Sequence, residues 1–224
     1  MKINVVSRIL EANDKLAAEN RSILDSTRTY SINLMSAPGA GKTTLLTRTI
    51  KAIGGAMRLG VIEGDIQGTY DAEAIGALDV PVIQINTGGA CHLDASMIND
   101  AMKEIPLADI DLLFIENVGN LVCPAEFNVG EHIKVMLLSL TEGHDKPLKY
   151  PLMFQESSAL VINKLDLAPY VDADPEKIKA DALSLNPALR IFEVSCKTGQ
   201  GIPEWADWLK ELHSLHKQTA EASE

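Results

Sequence analysis

The run Ser36-Ala37-Pro38-Gly39-Ala40-Gly41-Lys42-Thr43 constrains this chain more than any other stretch, because it follows an apolar run and opens a helical pattern. It matches the phosphate-binding loop except that Ser36 stands where a first glycine is usual. Gly39 and Gly41 allow the backbone amides around Ala40 to turn inward as an anion nest at a helix N-terminus. Lys42 is placed to reach β- and γ-phosphates, and the Thr43 hydroxyl to ligate magnesium, with Thr44 beside them on the nucleotide. An ordinary glycine-rich turn has no need of lysine and threonine at those two places.

Such a loop belongs to an α/β fold, and the rest of the chain agrees. Apolar runs recur at Ile32–Met35, Leu59–Ile62, Val80–Ile85, Ile110–Ile115, Ile133–Leu140, Ala159–Ile162 and Arg190–Val194. Most are followed by a turn and a helical stretch, which predicts right-handed βαβ units in a mainly parallel central sheet of about seven strands flanked by helices. Aliphatic residues dominate, with aromatics at only 4%, as suits strands buried on both faces. Val6, Ile9, Leu10, Leu16, Ala17, Ile23 and Leu24 predict an N-terminal amphipathic helix. The 224 residues fit one domain: a helix over 1–28, the nucleotide-binding core over 29–217 and a polar tail over 218–224. The polar stretch 142–151, with two prolines, reads as a loop.

Net charge is −11, which argues against nucleic acid or an anionic membrane surface as partner. No stretch resembles a signal peptide or reaches spanning length, so a cytoplasmic location is expected. Three cysteines, Cys91, Cys123 and Cys196, are too few and scattered for a disulfide framework.

Two further segments refine the chemistry. The run Ile110–Ile115 ends in Glu116, followed by Asn117-Val118-Gly119; this places a magnesium-side acid and then a glycine amide toward the γ-phosphate. Glu63, Asp65 and Asp71 follow the second run, where a first switch should lie. Asp65 is the better candidate for the metal's shell; Asp71 could equally be a helix cap. At the end of the sixth run stands Asn163-Lys164-Leu165-Asp166. The Asp166 carboxylate can accept from both N1–H and the exocyclic amine of guanine, a donor pair that adenine lacks. Lys164 can lie along the base plane and Asn163 can tie this loop to the phosphate loop. Ser195-Cys196-Lys197 ends the last run, like the loop that contacts the guanine oxygen in GTPases, with Cys196 a small packing residue. GTP with magnesium is therefore the expected substrate, hydrolysed with Lys42, Asp65, Glu116 and Gly119 at the reacting end. No arginine finger or water-positioning glutamine is evident, so unassisted turnover should be slow.

Cys91 and His92 sit between a strand and a helical pattern, an arrangement that favours a low-pKa thiolate beside an imidazole. Cys123 follows Gly119 on the segment expected to sense the γ-phosphate. On residue chemistry alone a metal site and a pair of small buried thiols are both open. Glu63-Gly64-Asp65, Asp71-Ala72-Glu73, Cys91-His92-Leu93-Asp94-Ala95 and Glu116-Asn117-Val118-Gly119-Asn120-Leu121-Val122-Cys123-Pro124 together resemble the HypB family, GTPases that assist nickel insertion during [NiFe]-hydrogenase maturation. The resemblance covers nearly the whole chain. It implies the SIMIBI type of P-loop fold, nucleotide- or metal-dependent homodimers, and zinc or nickel held by Cys91, His92 and Cys123. It also implies a partner metallochaperone and the hydrogenase large subunit. Some members carry an N-terminal cysteine motif or histidine-rich tract; this chain opens on its first helix, so no second tight nickel site is expected. His132, His144, His213 and His216 read as surface residues. A urease-type nickel GTPase would show Cys-Pro-His instead of Cys91-His92, and a structural zinc-linked dimer module is an alternative of another class.

Overall fold

Residues 5–65 and 74–221 are described by the computed structural model. Helix α1 (Val5–Ser26) leads into β1 (Tyr30–Ser36), and α2 (Lys42–Ile53) returns the chain to β2 (Leu59–Asp65). Then come β3 (Val82–Asn86), α3 (Ala95–Glu104), β4 (Leu112–Glu116), β5 (Ile133–Ser139) and β6 (Ala159–Asn163). Helix α4 (Pro175–Leu185), β7 (Arg190–Glu193) and α5 (Ile202–Glu221) close the chain. The strands form one seven-stranded sheet in the order β3-β2-β4-β1-β5-β6-β7. Every neighbouring pair is parallel, so the expected mainly parallel sheet is wholly parallel. Because all strands point one way, Ser36, Asp65, Glu116 and Asn163 come out at the same edge, where open α/β sheets bind ligands.

Each sheet face is closed by its own helices. On one, Trp205 of α5 is fully buried, stacks edge-on to Phe192 at 5.3 Å and donates its indole N–H to the Thr49 hydroxyl of α2 at 2.9 Å. On the other, Leu24 of α1 and Ile98 and Met102 of α3 pack on Ile62, Leu113 and Ile115. A third cluster joins Met136, Leu138 and Leu160 to Phe154 and to Ile178 of α4.

Four sequence expectations are corrected. The face of α1 that is buried is Ala17, Asn20 and Leu24, with Ile9 and Ile23 exposed; Val6 lies outside the described side chains. An asparagine replaces leucine in that stripe because backbone carbonyls need a donor there. The Asn20 amide donates to the Ala95 and Val129 carbonyls at 2.8 and 3.0 Å and accepts from Asn99 at 2.8 Å. The stretch 142–151 is not a loop: it holds a helical turn, Lys146–Lys149, and the start of another, Pro151–Gln155, each prolines' N-terminal position suiting a helix start. Residues 218–221, expected in a polar tail, continue α5. Glu63 and Asp65 do not follow β2; they are its last residues. Asp71 lies outside the described residues.

Candidate functional site

The loop between β1 and α2 takes the geometry that its glycines allow. Gly39 and Gly41 have φ of +75° and +103°, a region that side chains disfavour. At Gly41 a Cβ would also lie 2.7 Å from the Asn163 amide nitrogen, so that loop and base loop touch. The Lys42 ammonium donates to the Ser36 hydroxyl at 3.1 Å, giving the unusual serine a use. Thr43 Oγ1 donates to Glu116 Oε1 at 2.9 Å, joining helix start and β4 end. Glu63 lies beside Glu116 in the β2–β4 register, and both carboxylates are buried. A hollow of about 230 Å³ is walled by Pro38, Gly39, Lys42, Glu63, Asp65, Glu116 and Gly119. The structure thus brings together every residue expected at the reacting end except the undescribed Asp71, and adds Glu63.

A second hollow, about 310 Å³, opens on the other side of the loop, lined by Gly41, Thr44, Asn163, Lys164, Asp166, Cys196 and Lys197. The Asn163 amide donates to the Ala40 carbonyl at 3.0 Å, and its oxygen accepts from the Lys164 and Cys196 amides at 2.7 and 3.2 Å. Lys164, at φ +62°, swings its ammonium onto the Gly39 carbonyl at 2.7 Å. The Ser195 hydroxyl donates to Asp166 Oδ1 at 2.5 Å and so aims the acid. Burial pushes the Cys196 thiol up to about 11, keeping it neutral, as a packing residue should be.

The thiols meet beyond the first hollow. Cys91 Sγ and Cys123 Sγ are 3.3 Å apart, and Cys91 Sγ is 3.6 Å from His92 Nδ1; the three donor atoms all lie within 4.8 Å of one another. Desolvation lowers the His92 pKa against the pull of Asp94 and Glu126, so the ring is neutral and offers a lone pair near neutral pH. Its face stacks on Phe127 at 3.9 Å. Desolvation, then the hydrogen bond with Cys91, raises the Cys123 thiol. Two asparagines fasten this cluster to the sheet. Asn117 Oδ1 accepts from the Leu93 amide at 3.0 Å, and Asn117 Nδ2 donates to Asn33 on β1 at 3.1 Å. Asn120 Nδ2 donates to the Cys91 carbonyl at 3.2 Å.

With this geometry fixed, comparison with known proteins is decisive. Residues 31–193 match the CobW/HypB/UreG nucleotide-binding domain family. Hydrogenase maturation factor HypB of Escherichia coli K12 is 50% identical over 202 residues, which cover 90% of this chain and 70% of that protein. The chain belongs to the HypB branch of this family. Its nucleotide-binding domain is that of a P-loop NTPase. The crystal structure of HypB from Archaeoglobus fulgidus superposes with a TM-score of 0.86 at 44% identity, covering 91% of this chain and all of that one. HypB from Helicobacter pylori, crystallised in complex with nickel, superposes at 0.87 with 39% identity, covering 91% of this chain and 95% of that one.

Relative to the family motifs, the sequence left several site-building residues unmarked. Asn13, Asn20 and Asn33 fall in or beside apolar patterns, and a polar residue inside such a pattern was their one signal; Glu63 and Asn120 stand inside quoted motifs that do not reveal what they touch. Two of the histidines read as surface residues, His132 and His216, are partly buried. His132 has a side chain only 8% exposed, wedged with Tyr30 and His216 at ring distances of 4.5 and 4.7 Å. Asp25, His132 and His216 have metal-ligand spacing, but the Ser31 amide donates to His132 Nδ1 at 3.0 Å. The proton is therefore on Nε2, directed at Asp25 Oδ1 3.0 Å away, and a ring so fixed has no lone pair for a cation. That cluster pins α5 to the sheet.

Proposed function

We propose that this chain hydrolyses GTP and handles nickel for the maturation of [NiFe]-hydrogenase, with zinc as the alternative occupant of the same site. The observation that carries the reading is the meeting of Cys91, His92 and Cys123, with Cys123 on a segment whose Asn120 amide donates to Ser36 at the start of the phosphate loop and whose Asn120 side chain reaches the Cys91 carbonyl. Two sulfurs and a neutral imidazole suit Ni(II) or Zn(II) and not magnesium. Three protein donors leave a position open for water, a partner's ligand or transfer, unlike a closed four-ligand structural site.

On the nucleotide side, Thr43, Asp65, Glu116 and the neighbouring Glu63 would hold magnesium; two buried carboxylates abreast, one bonded to a threonine hydroxyl, fit a hard cation. When bound it neutralises charge developing on the β- and γ-phosphate oxygens. Lys42 orients those oxygens, and Gly119 presents an amide to the γ-phosphate. Asn163, Lys164, Asp166 and the Ser195–Lys197 loop select guanine. GTP would draw in the Gly119 segment and with it Cys123, so that hydrolysis alters the metal site, an order–disorder switch worked by γ-phosphate contacts. A homodimer, a partner metallochaperone, the hydrogenase large subunit and a cytoplasmic location complete the proposal. Among the described residues no helix is long and apolar enough to cross a membrane.

Titration of Ni(II) or Zn(II) into the chain with GDP or a non-hydrolysable GTP analogue tests it, repeated on Cys91→Ala and Cys123→Ala. About one metal per subunit should bind, with affinity differing between nucleotides and falling steeply in both variants. Equal affinities in the two nucleotide states would remove the switch, and undiminished binding by the variants would remove the site.

A further inference from the structure

The segment after β4 runs along the phosphate loop before it reaches Cys123. Gly119 lies so close to it that a Cβ would stand 2.9 Å from the Pro38 backbone. The next residue, Asn120, engages its backbone N–H and both ends of its side-chain amide. Its backbone N–H donates to the Ser36 carbonyl at 2.8 Å, where the phosphate loop begins. Its Oδ1 accepts from the Val122 amide at 2.8 Å, one residue before Cys123, and its Nδ2 donates to the Cys91 carbonyl at 3.2 Å. Both partners are backbone groups of fixed polarity, so the amide has one orientation; flipped, it would set oxygen against oxygen and N–H against N–H.

A local turn explains only half of this. The bond to Val122 is an Asx turn, which aspartate makes equally well. The bond to Cys91 crosses 29 residues of sequence and requires the amide N–H that only asparagine supplies here. Ser36 meanwhile accepts from Lys42 through its hydroxyl. A continuous path therefore runs from the phosphate-seeking lysine through Ser36 and Asn120 to the segments of both thiols. We propose that Asn120 is the positioning residue that couples nucleotide state to metal affinity, by tying the Cys91 and Cys123 segments to the mouth of the phosphate loop. This rests on the nucleotide-switched metal site proposed above.

Coupling is read as the ratio of metal affinities in the two nucleotide states. The full chain, Asn120→Asp and Asn120→Ala are each titrated with Zn(II), and separately with Ni(II), in GDP and in a non-hydrolysable GTP analogue. The Ni(II)–thiolate charge-transfer band reports whether both sulfurs still bind. Asn120→Asp keeps the Asx turn and loses the crossing bond, so it remains informative if the alanine variant does not fold. Wild type should show at least about a fivefold affinity ratio between the nucleotide states, the lower end of ordinary coupling. In both variants that ratio should shrink below about twofold, with the thiolate band retained. By linkage, the effect of metal on nucleotide affinity should shrink by the same factor. A wild-type ratio kept in Asn120→Asp, even with weaker metal binding in both states, overturns the role of Asn120. Absence of any ratio in wild type overturns instead the switched-site reading on which it rests.

Discussion

Asp166 and His132 show how a single side chain takes its meaning from what holds it. Asp166 is held by the Ser195 hydroxyl at the wall of the second hollow. Asp166→Asn should weaken GTP binding and favour xanthine nucleotide, because xanthine carries a carbonyl where guanine carries an amine. Leaving the guanine donors unmatched costs about 1–3 kcal/mol. Competition among GTP, XTP and ATP reads this directly, and an unchanged preference for GTP would refute the base-site assignment. His132 is lowered to about 4, first by desolvation, then by Arg21 and His216, against the raising pull of Asp25. An unfolded histidine titrates near 6.5, so between pH 6.5 and about 4 the unfolded chain binds the extra proton. Stability contributed by the neutral ring is thus present above pH 6.5 and lost as pH falls toward 4. Urea midpoints at pH 7, 6 and 5 should decline more steeply in wild type than in His132→Gln. Parallel slopes would mean that the ring is not held neutral.

Among the elements, α1 does more than cover apolar surface. Asn20 ties it to the start of α3, just beyond His92, and to the loop at Val129, beyond Cys123. Asn13 reinforces both ends, accepting from the Ala95 amide at 2.9 Å and donating to the Asn128 carbonyl at 2.7 Å. Asn20→Ala strands two carbonyls and the Asn99 amide, a loss of about 1–3 kcal/mol if they stay dry. Denaturant unfolding should show that drop without a change in slope; a loss below ~0.5 kcal/mol would mean water replaces the amide at no penalty. The strand ends carry the other lesson. Periodicity ended β2 at Ile62, but parallel pairing with β3 and β4 carries it to Asp65. A polar residue at a ligand-facing strand end still has ladder bonds to make.

For the molecule as a whole, no side chain among the described residues of the phosphate hollow is an arginine or glutamine. Turnover of the isolated chain should then be on the order of 10⁻⁴ to 10⁻² s⁻¹, as in GTPases without an assisting residue. Phosphate release in single- and multiple-turnover assays measures it, and Lys42→Ala should abolish it by removing the contact to the β- and γ-oxygens. Many turnovers per second from the chain alone would contradict this and require a further catalytic group.

The seven strands, the glycine-rich loop with its lysine and threonine, the Asn163–Asp166 run and the Cys-His and Cys segments were legible in the sequence, because each is a local pattern whose period or spacing is visible in one dimension. Strand order, the abreast pairing of Glu63 with Glu116, and the asparagines that join α1, β1 and the Gly119 segment to the thiols came only with the tertiary structure. Those contacts link residues far apart in the chain through backbone groups that carry no sequence identity, so no motif announces them. The same holds for His132: its neutral, tautomer-fixed state is imposed by Ser31 and by burial, neither of which a lone histidine in a sequence reveals.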